Sequence, residues 1–489
     1  MSLFVLLNLV KPNMDSDPHI LKSGAKVALS GILVLLIGAI IFYRERLFAD
    51  TSYIAFTIVN YKGIAIQVQR YGSFITQLVP YIGQQLQLPL KAILISYAVS
   101  FNLFFLLTAI LLYKFRQYGL VILMGMYYYL LVSASYFWII DELHQAVTWM
   151  FIMFGTLNYL GNRKANIVLQ IVVFLMLAFL TLFTHFIVII PVVFLLIYFI
   201  LRQKIWPFSK QYTVVLSALL LVVITFKFII TADAQPYEKQ HLHHLTHFSL
   251  QDIFDSFTTP VVAMFCQRLF TNYWIAVILY FAGIATLIKT KQKNLLVWVL
   301  ISTLGYFIIM GLTYADLDGN VKLFHIETEW QCLAIIIATP FIFEFLPRLK
   351  KSNIVLILCI IFITRIAYIG YSAPEFIWRT HFHEHVLAQM RKKGINKLAL
   401  YHEDTLSNKY ILEWTAPYES LFQSAMDGDK PQRTFIFVNK DEKKIIETIK
   451  DPKSQYFFDN IPTKDINHYY FSIDTATPYQ LMSAEQFFK

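Results

Sequence analysis

The sequence predicts an α-helical polytopic membrane protein of about eleven transmembrane helices, with a small α/β domain outside the membrane at its C-terminal end. Three observations carry this expectation. Of the 489 residues, 57% are hydrophobic and only 15% charged, at a mean hydropathy of +0.55, whereas a soluble domain of ordinary composition carries about 25% charge. Apolar runs bounded by charge recur along the first three quarters of the chain. After Pro374 the composition turns polar, with strand-like and helix-like runs in alternation.

The first ten residues, MSLFVLLNLV, are apolar but lack a basic flank and a small-residue cleavage site. They are too short to span and read as an interfacial piece ahead of an uncleaved signal anchor. The apolar runs then fall near 25–43, 92–113, 119–140, 144–161, 165–184, 186–201, 212–231, 273–288, 294–314, 330–347 and 353–371. Each is long enough, or nearly so, for a hydrocarbon core of about 30 Å at 1.5 Å per residue. The stretch 165–201 is apolar almost throughout, and Thr184-His185 offers the polar apex that divides it.

Orientation follows from lysine and arginine. Lys11, Lys22 and Lys26, then Lys114 and Arg116, Arg163 and Lys164, Arg202, Lys204 and Lys210, Lys289, Lys291 and Lys293, and Arg348, Lys350 and Lys351 fill every second connection. The alternate connections carry Asp50, Asp141, Glu142, Asp233, Asp316, Asp318, Glu327 and Glu329. The positive-inside rule then places the N-terminus in the cytoplasm, and an odd number of crossings puts the C-terminus outside. The net charge of +10 is thus a topology signal, and nucleic acid is excluded as a partner. Cys266, Cys332 and Cys359 have no metal spacing and lie in or beside apolar segments, so no disulfide framework is expected.

Two outer connections are large. Residues 44–91 hold SYIAFTIVN and RYGSFITQLVPYIGQQLQLPL, interrupted by Pro80 and Pro89, which read as helices lying in the interface plane. Residues 232–272 hold the histidine-rich HLHHLTHF and the amphipathic SLQDIFDSF. The transmembrane domain is therefore 1–374. The outer α/β domain is 375–489, with strands expected at KLALYH, RTFIFVN and HYYFSI and helices at HFHEHVLAQMRKK and DEKKIIETIK.

The residues able to carry chemistry cluster on the outer side. Asp50, in RERLFADTSY just past the first span, could take a proton from an acceptor hydroxyl. Its structural alternative is a helix cap at Thr51. Arg44 and Arg46 lie within two turns and could bind phosphate. Asp141, Glu142 and His144 form an acidic turn between two spans, which fits a site or a plain solvated turn. Asp316-x-Asp318 resembles half of a divalent-cation site, magnesium or manganese by its oxygen donors, and Glu327 and Glu329 directly precede a span. Lys227 and Arg365 fall within apolar runs, where a charge at the bilayer centre costs about 2.5–3.5 kcal/mol and seeks a cavity or a partner. Snorkelling to the surface is the alternative. With His185 and Arg268 they are the outer-side cations available to an anion. His241, His243, His244 and His247, and likewise His381, His383 and His385, read as solvated rather than zinc-binding.

This layout resembles the GT-C glycosyltransferases. The matching parts are an acid just past the first span (RERLFADTSY), a first outer loop with two helices, the acidic turn DELH, a long outer loop and a domain after the last span. The resemblance covers the chain in architecture. A single acid stands where some members have a pair, and 315–329 carries no diagnostic motif. It implies transfer of a sugar from a polyprenyl-phosphate donor to a glycan, lipid or protein acceptor at the outer face of a bacterial inner membrane, in cell-envelope polysaccharide synthesis. By the same resemblance Asp50 is the catalytic base, Asp141 or Glu142 serves the acceptor or a metal, and outer-surface cations such as Arg44, Arg46, Lys227, Arg268 and Arg365 hold the carrier phosphate. A transporter or flippase of a lipid-linked or anionic substrate, or a non-catalytic assembly subunit, are the alternative readings.

Overall fold

The computed structural model describes residues 18–139, 142–202, 206–232, 243–315, 322–401, 410, 412–439, 441–457 and 460–489. Helix accounts for 74% of the described residues. In chain order come α1 (Lys22–Ile41), α2 (Asp50–Tyr61), α3 (Phe74–Gln85), α4 (Leu90–Lys114), α5 (Tyr118–Tyr129) and α6 (Glu142–Asn162). Next are α7 (Ile167–Leu182), α8 (Ile189–Arg202), α9 (Lys210–Ala232), α10 (Leu250–Asp255), α11 (Pro260–Thr271) and α12 (Trp274–Lys289). They are followed by α13 (Lys293–Thr313), α14 (Leu323–Trp330), α15 (Leu333–Pro340) and the 43-residue α16 (Lys351–Lys393).

Among the described residues, five helices are long and apolar enough to cross a bilayer: α1, α4, α9, α13 and α16. The number rises to seven if each of two bent pairs counts as one span. This is fewer than the eleven expected from apolar runs, and the reasons are local. Helix α5 stops after 12 residues, about 18 Å, and α7 and α8 reach only about 24 and 21 Å at 1.5 Å per residue. Helix α6 has the length, but Glu142, His144, Gln145, Thr148 and Asn158 interrupt its apolarity. Helices α11 and α12 meet at 86°, and α14 meets the segment from Leu333 to Arg348 at 54°.

Helix α1 sits against α4, α5 and α16. Small residues permit the approach: a Cβ on Gly125 of α5 would lie 3.0 Å from that of Ala28 on α1. The chain leaves α-helix between α5 and α6, at residues 130–139, apart from one 3-10 turn at Ala134–Tyr136, and backbone groups there need partners that lipid cannot supply. Three buried charges provide them. Arg365 donates to the carbonyls of Tyr129 (2.9 Å), Val132 (2.7 Å) and Asn272 (2.5 Å). Glu327 accepts from the amides of Ser133 (2.8 Å) and Ser135 (2.7 Å), from the Ser133 hydroxyl, and from the Tyr273 hydroxyl (2.7 Å). Arg46 donates to the Tyr136 carbonyl (2.7 Å) and to Asn102 Oδ1 (2.6 Å). At the opposite end of the bundle, Glu344 gathers Arg202 (2.6 Å), Gln292 (2.9 Å) and Tyr198 (3.3 Å).

Beyond α16 lie β1 (Lys397–Tyr401), α17 (Ala416–Met426), β2 (Thr434–Val438), α18 (Lys443–Thr448), β3 (Ser454–Tyr456), β4 (Asn460–Pro462), β5 (Gln480–Met482) and α19 (Ala484–Phe488). Strands β2, β1 and β5 form a parallel sheet in that order, and β3 pairs antiparallel with β4. Both faces are covered, as parallel sheets require. Leu398, Leu400 and Phe435 pack on Val386, Leu387 and Met390 of α16, while Ala399, Ile436 and Val438 pack on Ile449 and Tyr479. The expected strand at HYYFSI is instead a turn with one bridge, Gln432 to Ile473. Pro374, where the composition changes, lies inside α16, which runs on without interruption.

The first outer connection also differs from expectation. Helix α2 is covered by protein: Phe56 stacks among Tyr418, Phe457 and Phe471. At its end Asn60 Oδ1 accepts from the Asn467 amide and Asn60 Nδ2 donates to the Asp465 carbonyl, while Asn467 Nδ2 donates to the Val59 carbonyl. Apolar residues there face the outer domain rather than lipid. Helix α3 contains Pro80 without breaking and exposes Val79 and Ile82.

Candidate active site

Two helix N-termini, where partial positive charge favours carboxylates, bring two acids into one electrostatic neighbourhood. Asp50 opens α2 and Glu142 opens α6. The residue that caps α2 is Ala49, which makes no side-chain cap bond. Its backbone stands at φ 56°, ψ −139°, near a region that only glycine enters without strain. The peptide is held from the outer domain: the Ala49 amide donates to Glu419 Oε1 at 3.4 Å, and Phe48 lies under the Arg379 guanidinium at 5.4 Å.

Arg70 stands beside the acids. It follows Val68 (φ 45°) and Gln69 (φ 57°), and its loop is braced by Gln77, which donates to the Ala65 carbonyl (2.9 Å) and accepts from the Ala65 amide (2.8 Å). Gly72 then passes close to α7. A Cβ there would collide with Thr184 Oγ1 and come within 2.7 Å of the Leu180 carbonyl. The Gly72 carbonyl accepts from the Trp149 indole at 3.1 Å. So fixed, Arg70 Nη1 reaches Glu142 Oε2 at 2.6 Å.

Burial, and then repulsion from Glu142, push the Asp50 carboxyl up to about 6, against the opposing pull of Trp138 and Arg70. The Trp138 indole N–H is buried without a hydrogen bond in bonding geometry, so it favours the carboxylate as a nearby dipole. Tyr97 of α4 lies within electrostatic reach of both acids. On the other side of Arg70 come His185, at the break between α7 and α8, and Lys227 of α9, whose ammonium stands 5.1 Å from the Phe183 ring. Arg70 thus stands between the acid pair and His185, which in turn feels the Lys227 ammonium. A carboxylate with its affinity for protons raised toward neutrality is suited to general-base work.

The other candidates are placed elsewhere. Arg46, Arg365 and Glu327 are engaged in holding residues 129–136, which gives them a structural task the sequence did not show. Arg44 pairs with Glu384 at 2.8 Å. Arg268 is half-buried near Tyr273, and the Glu329 carbonyl accepts from Tyr306. His144 is buried against Tyr127 at 3.0 Å. Asp141, Asp316, Asp318 and His241 lie outside the described residues. Among those described, no three His, Cys, Asp or Glu side chains converge as metal ligands. Asp50 and Glu142 make two, with Glu142 already paired to Arg70, so the described residues do not make a magnesium or manganese site. His243 and His247 stack ring on ring at 4.3 Å and are exposed.

His383 departs from the solvated expectation. It is buried, 2.5 Å from the Tyr410 hydroxyl and 3.4 Å from Glu419. Glu419 also takes two bonds of 2.7 Å from Arg379. Burial alone would raise the Glu419 carboxyl, but Arg379 and His383 outweigh it and bring it down to about 2. Arg70, Trp138 and Glu419 were not singled out in the sequence. Arg70 is the single charged residue between Lys62 and Lys91, which is its one local sign in the sequence, and nothing local marks Glu419.

Comparison with family models, with curated proteins and with solved structures finds no match to this chain.

Proposed function

We propose that the chain is a membrane glycosyltransferase of GT-C type, moving a sugar from a polyprenyl-phosphate donor to an acceptor hydroxyl at the outer face of a bacterial inner membrane. The observation that carries this reading is the Asp50–Glu142 pair at the N-termini of α2 and α6 with Arg70 beside it, and with His185 in electrostatic reach of both Arg70 and Lys227. In this reading Asp50 takes the proton of the acceptor hydroxyl as its oxygen attacks the anomeric carbon. The bond from that carbon to the phosphate oxygen breaks, and its electron pair leaves with the phosphate. Arg70 and Lys227, rather than Arg46 and Arg365, supply positive charge to the leaving group. Attack from the face opposite the phosphate inverts the anomeric centre.

The test is sugar transfer in proteoliposomes with a panel of radiolabelled polyprenyl-phosphate sugars, counting donor hydrolysis as turnover. Asp50→Asn is expected to lower turnover by about 10²–10⁴-fold, the usual contribution of a positioned base. Turnover unchanged in the variant would remove Asp50 from the role. No turnover with any donor, while the protein moves a lipid-linked substrate across the bilayer, would replace the reading by transport.

A further inference from the structure

A cavity of about 240 Å³ opens in the outer domain, at the carboxyl end of β2, where parallel sheets commonly receive ligands. Its walls are apolar and aromatic on one side, with Trp414, Pro417, Ile445 and Tyr456, and polar on the other, with Asn439 and Glu442. Trp414 and Tyr456 are half-buried and retain ring surface for a ligand. Phe457, also lining the cavity, is buried and stacked on Tyr418 at 4.9 Å, which fixes that wall. Glu442 is held in place because its Oε2 accepts from the Asn439 amide at 2.8 Å while the Asn439 carbonyl accepts from the Glu442 amide at 3.1 Å.

We propose that this cavity binds one saccharide ring, neutral or amine-bearing, as a site distinct from the Asp50 pair. A pyranose has apolar C–H faces and a rim of hydroxyl donors, which match aromatic walls beside a carboxylate and an amide. The volume is below the range of about 300–1,000 Å³ usual for drug-sized ligands, so a single ring fills it. Charge sets the class. Glu413 and Glu442 line the cavity, and among the described lining residues there is no lysine or arginine, so these two carboxylates disfavour uronic acids and sugar phosphates and favour an amino group.

Position suggests what the site is for. Trp414 makes edge contact with Tyr53 at 6.4 Å, one turn along α2 from Asp50. The next residue, Thr415, donates to Glu419 at 2.6 Å, and Glu419 accepts from the amide of Ala49. A sugar in the cavity therefore rests on the elements that hold the Asp50 turn. Its assignment as a unit of a glycan acceptor rests on the glycosyltransferase reading; the binding itself does not.

Saturation-transfer NMR on the full chain in nanodiscs, free of glycoside detergent, tests it with glucose, glucosamine, N-acetylglucosamine and glucuronic acid as probes. Transfer to ring protons of the neutral and amino sugars is expected, with glucuronate at least about tenfold weaker. Glu442→Gln should weaken binding about tenfold, the worth of one bond to a charged group, and Trp414→Ala about as much through loss of the ring contact. Trp414→Phe, which keeps a ring, should lose less. Asp50→Asn should bind as wild type, so failure of catalysis and failure of this site are distinguishable. No transfer from the wild type to any probe, equal transfer to glucuronate, or binding unchanged in both Trp414→Ala and Glu442→Gln would overturn the proposal.

Discussion

Replacing Asp50 by asparagine should stabilise the protein at neutral pH. The folded-state carboxyl is raised from 3.8 to about 6, so folding favours its protonated form. The sign follows: as pH rises from about 4 to about 6, the unfolded chain gives up this proton before the folded one does, and the wild type loses stability. Above 6 the loss is complete and constant. At 1.36 kcal/mol per unit, a shift of roughly two units is about 3 kcal/mol. Geometry leaves Asp50 partly open to solvent, which trims the working value to about 1–3 kcal/mol. Asparagine carries no charge to desolvate, so the variant should match the wild type near pH 4 and exceed it by that amount from pH 7 upward. Thermal unfolding in nanodiscs, followed by tryptophan fluorescence at pH 4.5, 6 and 7.5, reads the difference directly. A variant less stable than wild type at pH 7.5, or a difference that does not change with pH, would refute the reasoning. It would mean that Arg70 outweighs burial and Glu142 at Asp50.

Glu419 should behave in the opposite sense. Its carboxyl is depressed from 4.5 to about 2, so its contribution is full above about 4.5 and is lost as pH falls through 2, about 3 kcal/mol in all; acid unfolding of Glu419→Gln should lack this step. Ala49→Gly removes a backbone strain of order 1–3 kcal/mol and is expected to raise the unfolding midpoint, with a gain of about 1 kcal/mol after the entropy of glycine is deducted. Glu327→Leu leaves two buried amides and Arg365 without their acceptor or counter-charge, and should cost about 3–5 kcal/mol in chemical denaturation. The same measurement on Glu329→Leu, whose side chain is half-buried, should show a smaller loss.

Much of the plan was legible in the sequence. An acid after the first span and an acidic turn at 141–142 were enough to single out Asp50 and Glu142, which the fold brings to one neighbourhood. KLALYH and RTFIFVN read as strand-like runs within a polar domain, and Lys397–Tyr401 and Thr434–Val438 are strands. What was not legible depends on long-range pairing. Arg365 and Glu327 look in sequence like intramembrane charges awaiting a ligand. Only the fold reveals that the segment at 130–139 needs them, since a broken helix and an intact one give the same apolar run. Helix α2 looks like a lipid-facing element because its apolar residues do not say whether lipid or a later domain covers them. His383 is buried for the same reason: its partners, Tyr410 and Glu419, lie 27 and 36 residues away in sequence.

Helix α16 carries both ends of this arrangement on one rod. Arg365 grips the loop inside the bundle, and eighteen residues further along the same helix His383 sits in the core of the outer domain. Those eighteen residues span about 27 Å, so a tilt of about 5° at Arg365 sweeps His383 through about 2 Å. A helix transmits such a tilt as a crowbar does, with little loss along its length. Beside it, the Phe56 stack and the Ala49–Glu419 bond tie α2 to the same outer domain, so the helix is one of several links between the bundle loop and the sheet.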